Sequence, residues 1–230
     1  MRGCRIAAPE PPSLTHWQAW HQAYDDPTSS QSRRLVHVRA AIGAALDESP
    51  PGRIRLLSVC AGDGRDLLGV LERHGRAGDV SGVLVDQDEG LVAAGRAGVA
   101  TRGLTGVRFE VGDAGNGRWY AEARPAQVVV ACGVFGNVSE GDLRRTVRTL
   151  ASVVATGGSV VWTRHRRPPD QTPAIRRWFD EDGFEEVTFE AVAGSLATVA
   201  RHRRRDGGPL PADVPPRVFA FVGDGAAGHL

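Results

Sequence analysis

The residues best suited to chemistry stand where strand-like runs end. Ile54-Arg-Leu-Leu-Ser-Val-Cys60 is an apolar run of β type that breaks into Ala61-Gly62-Asp63-Gly64, and an apolar helical pattern starts at Arg65. Glycines at such a turn let the backbone bend sharply and lie close against a ligand. A second run, Gly82-Val-Leu-Val-Asp86, ends in an acid 22 positions after Gly64. That is close to the roughly 20-residue offset at which a nucleotide-binding β-α-β unit sets a carboxylate against ribose hydroxyls. A carboxylate can accept one hydrogen bond from each of two vicinal hydroxyls. The two signals together point to a nucleoside-containing cofactor at the carboxyl edge of a parallel sheet.

Three further strand ends carry candidate groups. Gly112-Asp113-Ala114 follows the third strand, Ala131-Cys132-Gly133-Val134-Phe135-Gly136-Asn137 the fourth, and Thr163-Arg164-His165-Arg166-Arg167 the fifth. Phe135 is a candidate to pack on a bound ring or in the core, and Asn137 to place a polar group at the site. His165, whose type titrates near neutrality, is a candidate general base. Arg164 or Arg166 is a candidate to hold an anionic substrate group, against the simpler reading of a solvated basic loop. The run Arg201 to Arg205 reads as solvated. Near the amino terminus, His16, Trp17, Trp20, His21 and Tyr24 cluster in a chain that is only 6% aromatic. Aromatic groups with polar tips suit pocket walls, which predicts a lid over cofactor and substrate. His21 and Tyr24 are further candidates for proton transfer. Cys60 and Cys132 end strands 1 and 4, where small side chains leave room beside a ligand; a metal or redox role is not expected.

The elements that must position these groups follow from periodicity. Residues 1 to 13 are polar and proline-rich and read as a loose tail. Helices are expected over 14–24 and 33–46, forming an amino-terminal cap that ends at Pro50-Pro-Gly52. From Arg53, strands at 54–60, 80–86, 107–112, 127–132 and 159–163 alternate with helices at 65–73, 89–98 and 140–154. A Gly-rich loop holding Trp119 and Tyr120 precedes the fourth strand. A helix at 172–182, strands at 186–192 and 217–222, and a frayed end from Gly223 complete the chain. Strands alternating with helices imply a mostly parallel α/β sheet, doubly wound with helices on both faces. The expected organisation is a tail and cap over 1–52 and one globular domain over 53–230, without repeats.

Bulk properties limit the classes. The 230 residues carry 28 basic and 27 acidic groups, a net charge of +1, and every basic residue other than histidine is arginine. That balance gives no reason to expect nucleic acid or another polyanion as partner. No apolar run is long enough to span a bilayer and no signal peptide opens the chain, and three widely spaced cysteines suit a reducing cytoplasm. A monomer or homodimer is expected.

At the glycine turn and the two acids that follow it, the chain resembles the class I S-adenosylmethionine-dependent methyltransferases, over roughly residues 53–163. The family pattern at the first strand end is an acid, any residue, then Gly-x-Gly-x-Gly. Here Ser58 stands in the acid's place, Cys60 in that of the first glycine, and Gly62 and Gly64 match the others. The resemblance implies a seven-stranded sheet ending in an antiparallel hairpin, made here by 186–192 and 217–222. It implies cofactor contacts from Cys60, Ala61, Gly62, Asp63, Gly64 and Asp66 near the methionine end, with Asp63 or Asp66 supplying the charge that Ser58 lacks. Asp86 would hold the ribose and Gln87 would flank the adenine. Asp113 would meet the exocyclic amine and Ala114 the ring, and Cys132, Gly133 and Phe135 would complete the wall. Trp17, Trp20, His21, Tyr24, Asn137 and Arg164 would serve substrate or lid. The implied reaction is methyl transfer to a small molecule. The fourth strand end lacks an Asn-Pro-Pro-Tyr type sequence, which argues against a DNA base as acceptor. A non-catalytic cofactor-binding module is the alternative, favoured slightly by Ser58 and Cys60. A nicotinamide-dependent oxidoreductase fits less well, because Leu67 stands where its fingerprint wants a small residue.

Overall fold

The computed structural model describes residues 21–206 and 213–222. The expectations for the tail, Trp17, Trp20 and the carboxyl end beyond residue 222 lie outside the described residues.

Seven strands form one sheet in the order β3-β2-β1-β4-β5-β7-β6. They are β1 (Ile54–Val59), β2 (Val80–Asp86), β3 (Val107–Val111), β4 (Ala126–Ala131), β5 (Val154–His165), β6 (Phe184–Ala191) and β7 (Ala197–Arg204). The first five strands pair in parallel and β7 runs antiparallel between β5 and β6. Among the described residues the α-helices are α1 (Ser30–Asp47), α2 (Arg65–Leu71), α3 (Glu89–Arg102), α4 (Gly117–Ala123), α5 (Glu140–Val153) and α6 (Thr172–Glu181). The chain is therefore an α/β doubly wound sheet, as its alternating pattern implies.

Two apolar layers hold it. Val38, Ile42 and Leu46 of α1, Leu67, Leu68 and Leu71 of α2 and Val92 of α3 pack with Leu56, Leu84 and Val130 on one face. Trp119 and Tyr120 of α4, Leu143, Val147 and Leu150 of α5 and Ile175 and Phe179 of α6 pack with Leu57, Val129 and Trp162 on the other. The central strands β1 and β4 are buried on both faces, the reason they read as nearly continuous apolar runs. Helix α1 shares the first of these cores, so residues 30–47 are built into the sheet's cover.

The hairpin closes with a different partner from the one expected. Residues 217–222 make only isolated bridges, Asn116 with Arg217 and Val138 with Phe221. The last strand in the sheet is β7, which contains most of the basic run expected to be solvated. Arg201 and His202 are 3% and 1% exposed. Arg201 reaches Glu48 at 2.6 Å, Arg203 reaches Glu185 at 2.5 Å, and Arg204 donates to the Ala151 carbonyl. Long stems lie along the sheet while the guanidinium heads meet acceptors at its edge, so a charged string forms an interior strand.

Smaller differences have local causes. The loop expected around Trp119 is helix α4, capped by the Asn116 side chain accepting from the Arg118 amide at 3.0 Å. Strand β5 starts at Val154 directly after α5, and the Gly157-Gly158 pair is taken up in a register irregularity against β4 instead of a turn.

Candidate active site

The strand order reverses between β1 and β4, the place where open α/β sheets bind ligands at their carboxyl ends. A cleft of about 910 Å³ opens there. Cys60 and Ala61 line it from β1, Asp66 from α2, Asp86 and Gln87 from β2, Ala114 from the β3 end, and Cys132 and Gly133 from the β4 end. His21, Tyr24, Arg34 and Leu35 close one side, and Arg65, Leu91 and Phe221 complete the wall.

The turn is shaped by conformations that few residues take. Cys60 has φ +55°, Gly62 +56° and Gly64 +70°. Cys60 is the one non-glycine described with positive φ, so it occupies a glycine's conformation at the position the motif gives to glycine. A Cβ on Gly62 would lie 2.2 Å from the His21 ring, and one on Gly64 2.5 Å from Phe109. The first glycine admits the ring of His21 and the second admits the core.

Asp86 organises the turn as well as facing the cleft. Its two oxygens accept from the Gly62 amide at 2.7 Å and from the Asp88 amide at 3.0 Å. Each oxygen retains a further acceptor site. Asp66 lines the cleft and accepts from the Leu67 amide at 2.7 Å. Burial raises its carboxyl above the usual range, with the Asp63 charge adding to the effect and Leu67 and Arg39 opposing it. Asp63 faces elsewhere: Arg65 grips it at 2.7 Å, and it lines a separate surface groove. Burial pushes the Asp63 carboxyl up, but Arg65 more than offsets this and holds it below its ordinary value.

The amino-terminal aromatics reach the cleft where they are described. His21 lies over Gly62, 5.6 Å from the Tyr24 ring, and the Arg65 guanidinium stands 5.0 Å from that ring. Arg34 donates to the Tyr24 hydroxyl. Burial lowers the His21 pKa and raises that of Tyr24. Burial also pushes both cleft thiols up, Cys60 well above its ordinary value and Cys132 to about 12. Both are therefore protonated at neutral pH and act as small apolar wall.

Three expected residues stand apart from the cleft. Phe135 is fully buried, with ring centroids 5.4 Å from Trp162 and 6.3 Å from Phe179; it is core. Asp113 pairs with Arg217 and accepts from the Gly115 amide at 2.8 Å. Its neighbour Ala114 forms the wall instead. Asn137 donates to the Gly133 carbonyl at 2.7 Å and its own carbonyl accepts from the Val222 amide at 3.0 Å. It shapes the loop behind the cleft.

His165 and Arg164 line a neighbouring cleft that shares Arg34 and Gly133 with the first. The Arg167 amide donates to Nδ1 of His165 at 3.2 Å. That bond assigns the proton of the neutral ring to Nε2, so His165 presents a donor and not the lone pair of a base. Burial and the charges of Arg164 and Arg167 lower its pKa, outweighing Asp170.

Residue-level reading missed the carboxyl-terminal strap. Residues 213–222 cross the ends of β3 and β4, tied by Gly117 N–H to Pro216 O at 2.9 Å and Val218 N–H to Gly115 O at 2.8 Å. A Cβ on Gly115 or Gly117 would meet strap carbonyls at 2.0 and 1.9 Å. The strap brings Phe221 into the cleft. Gly115-Asn116-Gly117 was the available signal, since paired glycines mark close backbone approach as well as loops.

Known proteins with this arrangement give the family. The family described as "Putative methyltransferase" matches residues 31–177, more than half of the chain. The chain belongs to that methyltransferase family. No curated protein matches it in sequence. Among solved structures, it is similar to magnesium protoporphyrin IX methyltransferase from Synechocystis PCC 6803 with bound S-adenosylmethionine, at TM-score 0.64 and 13% identity, covering 83% of this chain and 91% of that one. It is also similar to an O-methyltransferase family protein from Burkholderia thailandensis, at TM-score 0.56 and 18% identity, covering 84% and 70%. An RNA methyltransferase from Salinibacter ruber, in complex with S-adenosylhomocysteine, matches at TM-score 0.51 and 21% identity, covering 77% and 95%. The named acceptors differ in class, and the likenesses concern the fold.

Proposed function

We propose that the protein transfers a methyl group from S-adenosylmethionine to a small-molecule acceptor. The observation that carries this reading is one largely apolar cleft at the β1–β4 switch point with two carboxylates, Asp86 and Asp66, in its wall. The solved methyltransferases of this fold with that cofactor or its product bound support the cofactor's identity.

The residues fit such a cofactor. Asp86 keeps acceptor capacity for two ribose hydroxyls after bonding Gly62 and Asp88. Gln87 and Leu91 flank the adenine side, and Ala114 leaves room for the ring. Asp66 faces the cleft where Ser58 leaves the family acid missing, and its carboxylate complements a cationic amino acid end. When bound, S-adenosylmethionine supplies a sulfonium methyl: the acceptor's lone pair forms the new bond to carbon, the C–S pair goes to sulfur, and the acceptor loses a proton to base or water. The protein's own part is to align the acceptor with that methyl and to keep water out. His21, Tyr24 and Phe221 wall the cleft for the second task. The protonated thiols of Cys60 and Cys132 border the site without competing as nucleophiles.

A small acceptor agrees with the charge pattern. The net charge is +1, and many arginines are spent on carboxylates, as in Arg176 with Glu186 and Arg205 with Asp180. Such pairs give little of the free positive field that a polyanion requires. The free thiols of Cys60 and Cys132 suit a reducing compartment such as the cytoplasm.

Incubation with methyl-labelled S-adenosylmethionine and pooled small-molecule extracts tests the proposal. The expected result is S-adenosylhomocysteine formed in step with label in an acceptor fraction. Tight cofactor binding with no turnover in any pool would instead support a non-catalytic module.

A further inference from the structure

The second cleft lies beside the proposed cofactor site. It spans about 720 Å³, part of it open to solvent, and adjoins the first at Arg34 and Gly133. Its walls come from Ser30 and Gln31 at the start of α1, Gly136 after β4, the end of β5 and the β6–β7 turn. Arg34, Arg164 and Arg167 line it, with no aspartate or glutamate among the lining residues.

Arg164 is unusual among the arginines of this protein. Arg65, Arg76, Arg176 and Arg201 all end on carboxylates. The Arg164 Nε and Nη1 atoms are buried with no hydrogen-bond partner among the described residues. Asp170 acts on it through space. However, its Oδ1 already accepts from the Thr172 amide at 2.9 Å and the Thr172 hydroxyl at 2.8 Å. Arg164 is half-buried, and shielding two of its guanidinium nitrogens from water without a partner is costly unless a ligand meets them. Arginine's planar fork matches a carboxylate or phosphate oxygen pair. The donor Nε2 of His165 and the positive end of α1 border the same cleft and have the sign that favours an anion.

We propose that this second cleft holds an oxyanion of the methyl acceptor, a carboxylate or a phosphate, on Arg164 and Arg167, so that the acceptor's nucleophile points across Gly133 into the first cleft. The assignment rests on the methyl-transfer reading and adds the acceptor's chemical class to it.

The test is a titration of arginine-15N-labelled protein, saturated with S-adenosylhomocysteine, at constant ionic strength. The probes are sodium benzoate, inorganic phosphate and the neutral analogue benzamide, and the readout is the Arg164 Nε–H resonance. The expected result is a saturable shift with one of the anions at about 1 mM, a weak-complex affinity, and none with benzamide. Arg164→Gln and Arg167→Gln should each weaken that binding about tenfold, as expected for one charge-assisted contact. Arg164→Lys should recover part of it, and Arg148→Gln, on the exposed side of α5, should leave it unchanged. Benzoate then separates a carboxylate site from a phosphate site. The proposal is overturned if neither anion shifts the resonance, if benzamide does so equally, or if folded Arg164→Gln and Arg167→Gln proteins bind like the wild type. Failure of S-adenosylhomocysteine to bind in the first step would sink the methyl-transfer reading, while the anion arm would still decide whether an oxyanion site exists.

Discussion

Asp86 shows how one side chain joins fold to chemistry. It ties the β1 turn to the β2 end through the Gly62 and Asp88 amides and still faces the cleft. On the proposed reading, Asp66 in the first turn of α2 takes the place of the acid that Ser58 replaces. Asp66→Asn should therefore weaken S-adenosylmethionine binding by about ten- to a hundredfold, the loss of a hydrogen bond to a charged group, while leaving the melting temperature nearly unchanged. Equal affinity in the variant would remove Asp66 from the site. His165 gives a prediction of its own. Its ring is neutral at pH 7 because burial and two arginines lower its pKa, and its free nitrogen carries the proton. His165→Gln, which keeps a donor, should retain most of the turnover that His165→Ala loses. Initial rates for the two variants decide this, and equal loss in both would restore a role for the imidazole as base.

Among the elements, the strap over 213–222 has the clearest consequence for function. It reaches the cleft through Phe221 and is held against Gly115 and Gly117 by contacts that leave no room for a Cβ. Gly117→Ala should displace the strap and lower cofactor affinity about tenfold, matched by Phe221→Ala through lost apolar contact. Calorimetry on the two variants would show this, and wild-type affinity in both would confine the strap to a structural task. The elements also show what could be read from sequence. Strands β1, β2 and β4 were legible because each is apolar on both faces and ends in a turn or an acid. So was the placement of Cys60, Asp86, Ala114 and Cys132 at the carboxyl edge of the sheet. Strand β7 was not legible, because arginines paired to Glu48 and Glu185 look like a solvated run until those partners are known. The strap resembles a strand in sequence because Val218 and Phe219 are buried in the second apolar layer, and an apolar pattern does not say whether a sheet partner lies beside it. Strand ends bring Phe135 and Asp113 near the cleft without fixing where they point. Their side-chain directions depend on Trp162 and Arg217, which are remote in sequence.

In the whole molecule, two cores share one sheet, and the site lies where the strand order reverses between them. The far core has its own pH dependence. His202, 1% exposed, accepts from the Trp162 indole at 3.1 Å, and burial lowers its pKa to about 4, against a partial opposing effect from Glu186. Since the folded value lies below the unfolded value of about 6.5, only the unfolded chain takes up the proton between them. Stability is thus full above pH 6.5, falls as the pH drops toward 4, and levels off below, a loss of up to ~3 kcal/mol. Urea denaturation at pH 7 and pH 4.5 should show part of that loss in the wild type and less of it in His202→Phe; parallel behaviour of the two proteins would exclude His202 as the cause. The central claim concerns the cleft between the cores, and calorimetric titration with S-adenosylhomocysteine of the wild type beside Asp86→Asn tests it most directly. The account predicts micromolar binding by the wild type and a loss of at least about tenfold in the folded variant, the value of one charge-assisted hydrogen bond. No heat of binding from folded wild-type protein, or equal affinity in both proteins, would contradict it.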